Sequence, residues 1–152
     1  MFLVIFSFLL LHYCSSKEVF VLEPQTFQSH VLENQLTFIK FYAPWCGHCK
    51  HLAPVWENLA SEISDEESIS IAKFDASVKE HEAIAKQFSI ESYPTLKLFE
   101  RIEGEEGFYV EQYLYKGSRE LDALKKFVKG IFNIGKSYYI VYILSLMVTV
   151  NL

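Results

Sequence analysis

The chain has 152 residues and a formal net charge of −5, with 14 lysines and arginines against 19 acidic side chains. That length is enough for one globular domain with short appendages, and it excludes a second domain of ordinary size. The acidic balance and the scattered basic residues exclude a nucleic-acid-binding protein, since phosphate binding needs basic side chains in clusters.

Residues 1–16 are predicted to be a secretory signal peptide. Phe2–Leu11 is almost wholly apolar and gives way to polar residues before the first charge, which is the pattern of such a leader. A buried N-terminal strand is the alternative. If the leader is removed, Cys14 goes with it, and the mature chain keeps Cys46 and Cys49. One close pair in an oxidising compartment fits a catalytic disulfide better than a structural one.

Apolar periodicity between Val19 and Ile131 predicts an alternation of strands and helices. The predicted strands are Val19–Leu22, Leu36–Ala43, Ser68–Ala76, Leu96–Glu100 and Tyr109–Tyr115. The predicted helices are Pro24–Glu33, Cys46–Ile63 with a bend at Pro54, Val78–Phe88, and a last helix that Ser118 caps and that nears its end at Gly130. Strands that alternate with helices pair in parallel, and a turn at Gly104–Gly107 predicts an antiparallel hairpin. The order βαβαβαββα predicts an α/β fold with a mixed central sheet flanked by helices.

Leu36–Ala43 is a near-continuous apolar run, which is typical of a central strand buried on both faces. The next helix opens with Cys46-Gly47-His48-Cys49. A thiol at a helix N-terminus faces unpaired N–H groups and the positive end of the helix dipole, so its pKa falls. Cys46 is therefore the expected nucleophile. Cys49, one turn further in and within disulfide reach, is the expected resolving thiol.

His48 lies between the two cysteines, where a partly protonated imidazole is expected to stabilise the Cys46 thiolate and make the pair a stronger oxidant. A solvated turn residue is the alternative for His48.

A zinc site is the other explanation for two cysteines at this spacing, but it needs two further ligands. His30 and His81 lack ligand spacing, so we expect no metal.

Residues 132–152 form a hydrophobic tail, whose apolar block Tyr138–Val150 follows several lysines. A helix of that length rises roughly 20 Å, short of the ~30 Å hydrocarbon core of a bilayer. No basic residue follows the block, which is the wrong polarity for a segment whose N-terminal side is lumenal. A membrane anchor, an interfacial segment and the end of a truncated product remain open for this tail.

Several motifs agree in order and spacing with one known family. They are Ala43–Lys50 (APWCGHCK), Leu52-Ala53-Pro54, Lys73-Phe74-Asp75-Ala76, Tyr93-Pro94-Thr95, and Lys116-Gly117 followed by Arg119. On these motifs, the chain from Val19 to Ile131 resembles a single catalytic thioredoxin-type domain of the protein disulfide isomerases. The resemblance implies a thioredoxin fold over residues 17–131 and thiol–disulfide exchange on secretory proteins in the endoplasmic reticulum.

The resemblance also implies roles outside the cysteine motif. Pro94 would follow a cis peptide bond packed against the disulfide, leaving the Tyr93 backbone to pair with an extended substrate. An ordinary trans proline is the alternative. Trp45 would lie beside the active site, where the alternative is a surface aromatic residue at a helix start. Tyr93, Pro94 and Trp45 are therefore the expected substrate-binding residues. Arg119 would swing toward Cys49 and lower its pKa, where the alternative is a surface ion pair.

One position departs from the family pattern. Six residues before the first cysteine the family usually has a buried glutamate that relays protons from the second cysteine, and this chain has Lys40. The family glutamate pairs with the lysine matched by Lys73. A buried lysine is costly unless it is neutral or reaches water, and a second lysine beside it adds repulsion. Three explanations remain: Lys40 is the base, a water chain replaces the relay, or the strand edge is wetter. We expect slower resolution of mixed disulfides.

The predicted function is that of a thiol–disulfide oxidoreductase or isomerase that forms, reduces or rearranges disulfides in unfolded or misfolded secretory proteins. Its expected catalytic residues are Cys46, Gly47, His48, Cys49, Lys73 and Arg119. The cysteine pair carries the electrons, so no dissociable cofactor is expected, and an oxidase or glutathione is the expected electron partner. A redox-inactive binding module and a piece of a longer multidomain isomerase are the alternatives. The expected location is the lumen of the endoplasmic reticulum, with or without a membrane anchor.

Overall fold

The computed structural model describes residues 18–63, 68–104 and 107–150, with the backbone alone for residue 136 and residues 138–150. The strands are β1 (Phe20–Val21), β2 (Leu36–Tyr42), β3 (Ile69–Asp75), β4 (Thr95–Gly104) and β5 (Gly107–Tyr115). The helices are α1 (Pro24–Glu33), α2 (Gly47–Glu62), α3 (Glu82–Gln87), which follows a 3-10 turn at Lys79–His81, and α4 (Leu121–Val150). The predicted signal peptide, residues 1–16, lies outside the described residues.

The five strands form one mixed sheet in the order β1-β3-β2-β4-β5. β1, β3 and β2 run parallel, whereas β4 pairs antiparallel with β2 and with β5. The predicted element order and mixed sheet are confirmed, and they form the thioredoxin fold that the resemblance implies. β2 is the central strand, and six of its seven residues are buried, as its apolar run predicts.

Hydrophobic clusters cover both faces of the sheet and hold β2 in place. One face packs against α2 and α4, where the rings of Phe38 and Trp56 lie 4.7 Å apart. Trp56 Nε1 also donates a hydrogen bond to the Ala72 carbonyl at 2.9 Å. The other face packs against α1 and α3 around Phe27. β2 has a strand on each side and helices on each face. This packing fixes the position of its last residue, Tyr42, and so the position at which the next loop begins.

The β4–β5 hairpin is longer than the sequence predicts. β4 continues past Glu100 to Gly104, and β5 begins at Gly107 instead of Tyr109. The residues after Glu100 have no register partner on β2 but all pair with β5, and the Arg101 N–H also donates to the Gln35 carbonyl at 2.9 Å. These backbone contacts keep them extended where the apolar pattern weakens. The predicted antiparallel hairpin is confirmed. Gly104 and Gly107 face each other across it, and Gly107 has a φ of +124°, which favours glycine.

The last helix contradicts two predictions. The sequence places its end near Gly130, but α4 continues through that residue. A glycine inside a helix costs about 1 kcal/mol, and burial of Phe132, which is 4% exposed on the next turn, outweighs that cost. Ser118 is not the cap, because its Oγ accepts the N–H of Glu120 at 3.3 Å ahead of the helix. The Glu120 carbonyl accepts the first helical bond, from the N–H of Leu124.

The predicted hydrophobic tail, residues 132–152, starts within α4 and not after it. Across residues 18–63, 68–104 and 107–150, no helix has both the length and the apolar character that a bilayer crossing requires. The side chains of residues 138–150 lie outside the description, so the role of the tail stays a prediction.

A buried carboxyl group lies at the end of the sheet where β2 begins. Glu100 is 8% exposed and faces Leu36 in the register of β4 with β2. The Tyr113 hydroxyl lies 3.0 Å from Oε2 of Glu100 and 2.7 Å from Oε2 of Glu111, the register partner of Glu100 on β5. Burial raises the pKa of Glu100, the Tyr113 hydrogen bond opposes that shift, and the charge of Glu111 adds to it.

We expect Glu100→Gln to remove a pH-dependent loss of stability. Because the folded pKa of Glu100 is raised, its contribution to stability is complete below the unfolded pKa and is lost as the pH rises through the folded pKa. Glutamine keeps the shape of the protonated carboxyl group and does not ionise. Urea unfolding at acidic and alkaline pH should show a smaller fall in the free energy of unfolding for the variant. An equal fall in both proteins would contradict this expectation.

Candidate active site

Cys46 lies between the end of β2 and α2 and is the N-cap of the helix. Its backbone N–H donates to the Ala43 carbonyl at 3.1 Å, which closes the turn after Tyr42. Its Sγ accepts the N–H of Cys49 at 3.3 Å, so sulfur takes the place of the oxygen that usually caps a helix. A Cβ on Gly47 would meet no atom of the described residues within 4 Å. The predicted position of the cysteine pair at a helix N-terminus is confirmed.

The surroundings of Cys46 favour its thiolate. The hydrogen bond from the Cys49 thiol is the largest cause that lowers the pKa of Cys46, and burial opposes it. The N–H groups of Cys49 and His48 and the charge of Arg119 lower this pKa further. Donors and a positive charge beside a sulfur stabilise its ionised form. Cys46 is 9% exposed, whereas most residues of the core are less exposed, so it lies at the edge of the core.

The surroundings of Cys49 disfavour its thiolate. It is 4% exposed, and burial together with its hydrogen bond to Cys46 raises its pKa to about 11. Both cysteines are free thiols in the structure. Because the pKa of Cys46 is lowered and that of Cys49 is raised, Cys46 ionises before Cys49 as the pH rises. A pair whose pKa values are driven apart has distinct roles for its two members. Among the described residues, no three His, Cys, Asp or Glu side chains come together in a way that could hold a metal ion.

The loop before β4 covers the cysteine pair. The Tyr93–Pro94 peptide bond is cis, as the resemblance implies, and the Tyr93 carbonyl accepts a hydrogen bond from Cys46 Sγ at 3.5 Å. The Tyr93 hydroxyl donates to the Ala76 carbonyl at 2.7 Å, which anchors the loop. The Trp45 ring is 72% exposed and stands edge-on to the Tyr93 ring, with centroids 5.9 Å apart. The three expected substrate-binding residues thus lie together, and their role stays a prediction.

Arg119 reaches the same loop from the chain segment before α4. Its Nη2 donates to the Pro94 carbonyl at 3.4 Å. Arg119 takes part in none of the ion pairs among the described residues, so the alternative of a surface ion pair is not observed there. Its charge lowers the pKa of Cys46 in this arrangement, so the movement toward Cys49 stays a prediction.

His48 is exposed, and its described contact with Cys46 is through the backbone N–H. The predicted role of its imidazole stays a prediction.

The family profile described as Thioredoxin matches residues 18–130. The chain belongs to the thioredoxin family. Its thioredoxin domain is similar to curated disulfide isomerases. Protein disulfide isomerase-like 2-1 of Oryza sativa subsp. japonica is 45% identical over 113 residues, which is 72% of this chain and 28% of that protein. Protein disulfide-isomerase of Gallus gallus is 44% identical over 98 residues, which is 64% of this chain and 17% of that protein.

Solved structures show the same similarity. The first thioredoxin domain of mouse Protein disulfide-isomerase A4 matches with a TM-score of 0.62 and 33% identity, covering 74% of each chain. The predicted resemblance to a thioredoxin domain of the protein disulfide isomerases is therefore confirmed. This chain spans less than a third of the length of the rice and chicken proteins.

Lys40 is enclosed within the thioredoxin domain. It is 4% exposed and lies on β2, with β3 on one side and β4 on the other. The explanation that the strand edge is wetter is therefore wrong, because only 4% of Lys40 is exposed. The other two explanations stay predictions. The register partner of Lys40 is the half-buried Lys73 on β3. After burial, the charge of Lys73 is the largest cause that lowers the pKa of Lys40. A catalytic role for Lys73 stays a prediction.

A groove of about 650 Å³ opens beside the cysteine pair. Its lining includes Trp45, Tyr93, and residues of α3 and of the loops before and after that helix. Its apolar lining includes Val78, Ala85 and Ile90. Nothing in the sequence marks these three as functional, because they belong to the stretch around α3, which only the fold brings next to Trp45.

Proposed function

We propose that this thioredoxin domain is a thiol–disulfide oxidoreductase that forms, reduces or rearranges disulfide bonds in client proteins. The observation that carries this conclusion is the opposite shift within one hydrogen-bonded pair. The pKa of Cys46 is lowered, and that of Cys49 is raised to about 11. A thiol that ionises readily beside one that stays protonated suits a two-step exchange. Similarity to proteins named disulfide isomerases supports the same function.

The exchange uses the two cysteines in turn. In reduction, the Cys46 thiolate attacks one sulfur of a client disulfide, a mixed disulfide forms, and the other client sulfur leaves as a thiolate. Cys49 then loses its proton and attacks Cys46 Sγ, which forms the Cys46–Cys49 disulfide and releases the second client thiolate. Two electrons pass from the dithiol to the client, and the reverse sequence oxidises a client dithiol. The pair itself carries the electrons, so the proposal includes no dissociable cofactor. Glutathione or an oxidase is the proposed partner that resets it.

Insulin reduction and the refolding of a scrambled disulfide protein test this function. We expect the chain to be active in both assays, because reduction and rearrangement share the attack by Cys46. Activity in reduction alone would narrow the function to that of an oxidoreductase. Activity in neither assay would contradict the proposal and leave a redox-inactive binding module as the alternative.

The client segment is proposed to lie along the loop before β4 and to enter the groove. The Tyr93 carbonyl is next to the Cys46 sulfur, where an extended chain bonded through its cysteine would run beside exposed backbone. Trp45, which directly precedes Cys46 in the chain, is 72% exposed and lines the groove. Aromatic rings of this kind supply a large share of the binding energy at protein interfaces.

We expect Trp45→Ala to weaken client binding without changing the chemistry of the cysteines. The KM for a protein disulfide should rise about tenfold, while the rate with the small glutathione disulfide should stay unchanged. Phe108→Ala is the matched control, because Phe108 is an exposed aromatic residue on β5, away from the groove. Equal loss with both substrates would contradict a role in client binding.

The proposed clients are secretory proteins, unfolded or misfolded, in the lumen of the endoplasmic reticulum. The predicted leader at residues 1–16 and the similarity to disulfide isomerases support this location. Import of the translated chain into microsomes tests it. We expect a shortened product that protease cannot reach, and a full-length accessible product would contradict the proposal.

A further inference from the structure

Lys40 is a buried charged residue that the two-step exchange leaves without a role. It lies on the central strand with 4% of its surface exposed. Its register neighbours are Lys73 on β3 and Leu96 on β4, so no acidic side chain stands beside it in the sheet. A lysine held this way is expected to spend part of its time as a neutral amine.

The amine of Lys40 lies between β2 and the helix that carries the dithiol. Its Nζ is 5.7 Å from the centroid of the Tyr42 ring and 5.9 Å from that of Trp56. Tyr42 packs against the cluster that contains Cys49. Trp56 follows Cys49 by seven residues, about two helical turns, so both project from one face of α2. The amine therefore lies beneath that face, between the Trp56 ring and the Tyr42 ring that packs against the cluster of Cys49.

Charges on Lys40 and Cys49 act on each other. Burial and the charge of Lys73 lower the pKa of Lys40, whereas negative charges on Cys49 and Glu57 raise it. In turn, a positive charge on Lys40 lowers the pKa of Cys49, which burial raises to about 11. Each group is therefore easier to charge when the other is charged. Transfer of one proton from sulfur to nitrogen produces the ion pair that this coupling favours.

We propose that Lys40 is the proton acceptor for Cys49 during resolution of the mixed disulfide. This inference rests on the proposed function and assigns the base for its second step. The proton on Cys49 Sγ passes to the neutral Nζ of Lys40, and the thiolate attacks Cys46 Sγ. The Cys46–Cys49 bond forms, the bond between Cys46 and the client breaks, and the client thiolate leaves with the electron pair. Lys40 then returns its proton to solvent.

The test measures the two steps separately in a single turnover with glutathione disulfide as the probe. Acid quenching and mass analysis follow the mixed disulfide as it forms and as it resolves. In Lys40→Met, which keeps the length of the side chain and cannot titrate, resolution should be about 100-fold slower at neutral pH. Formation of the mixed disulfide should change little, because Cys46 makes that attack.

The matched control is Lys97→Met. Lys97 is another lysine of the sheet whose pKa burial lowers. Its Nζ donates to the Phe88 carbonyl at 2.6 Å and to Gln112 Oε1 at 3.1 Å. Its register partner, Ile39, belongs to the cluster on the other face of the sheet. Both steps should keep the rates of the unmodified chain in this variant.

The dependence of resolution on pH separates a proton acceptor from a structural residue. In the unmodified chain the rate should rise through the titration of Lys40, and in Lys40→Met it should rise only with ionisation of Cys49 itself, whose pKa is raised by burial. Lys40→Glu covers the case in which the methionine variant fails to fold. A carboxylate accepts protons at lower pH, so resolution in that variant should be faster than in the unmodified chain and persist into the acidic range.

A second measurement does not depend on turnover. In the Cys46→Ser background, the ultraviolet absorbance of the Cys49 thiolate gives its titration directly, and loss of the Lys40 amine should raise that pKa. The inference is overturned if Lys40→Met or Lys40→Glu resolves with the rate and pH profile of the unmodified chain. Failure of the unmodified chain to form any mixed disulfide would overturn both this inference and the proposed function.

Discussion

Cys46→Ser should abolish thiol–disulfide exchange, with a loss of at least about 1,000-fold in the rate of insulin reduction. The thiolate is the nucleophile in this chemistry, and a serine hydroxyl does not ionise near neutral pH. The three hydrogen-bond donors that lower the pKa of Cys46 are the Cys49 thiol and the N–H groups of Cys49 and His48. They would face an oxygen that cannot form a disulfide. The measurement is insulin reduction at equal protein concentration.

The same substitution should leave the fold intact, which makes the loss of activity interpretable. Cys46 Sγ caps α2 by accepting the N–H of Cys49, and serine is one of the best residues at that position. The thermal midpoint should therefore stay the same or rise slightly. Exchange that persists in a folded Cys46→Ser protein would contradict the assignment of the nucleophile.

Cys49→Ser should trap the mixed disulfide between Cys46 and the client. The first attack remains, since a serine hydroxyl at this position still donates to Cys46 Sγ in place of the thiol whose hydrogen bond lowers the pKa of Cys46. The second attack is lost, because no sulfur remains to displace the client. We expect turnover without added thiol to fall by at least about 100-fold. A covalent adduct should accumulate on non-reducing gels and disappear on reduction.

The double variant Cys46→Ser with Cys49→Ser is the control, and it should form no adduct. An adduct that fails to accumulate in Cys49→Ser, or that clears as fast as in the unmodified chain, would show that another group resolves it. The buried position of Cys49, 4% exposed, agrees with attack on a neighbouring sulfur and not on a client in solution.

Local features of the chain were enough to predict the central strand and the position of the dithiol. The apolar run at 36–43 indicates burial on both faces without reference to its neighbours, and β2 is buried at six of seven positions. Two cysteines at the start of a helical pattern share one turn of helix, so their contact follows from helix geometry. Here the hydrogen bond from the Cys49 N–H to the Cys46 sulfur is the expected local result.

Predictions failed where a distant contact outweighs a local signal. Gly130 is a reasonable helix end by itself, but burial of Phe132 carries α4 through it. The apolar pattern of β4 weakens after Glu100, but pairing with β5 extends the strand to Gly104. Both errors have one cause. The free energy that decides the structure comes from partners that lie elsewhere in the chain.

The amino-acid sequence by itself determined the fold class, the family and the position of the cysteine pair at a helix N-terminus, because periodicity, motif order and helix geometry act within short segments of chain. Only the tertiary structure decided that Lys40 is buried beneath α2, that Arg119 donates to the Pro94 carbonyl, and that Trp45 forms a groove with the distant stretch from Ala76 to Tyr93. Burial, charge coupling and cavities depend on which segments the fold packs together, and no local pattern in the sequence contains that information.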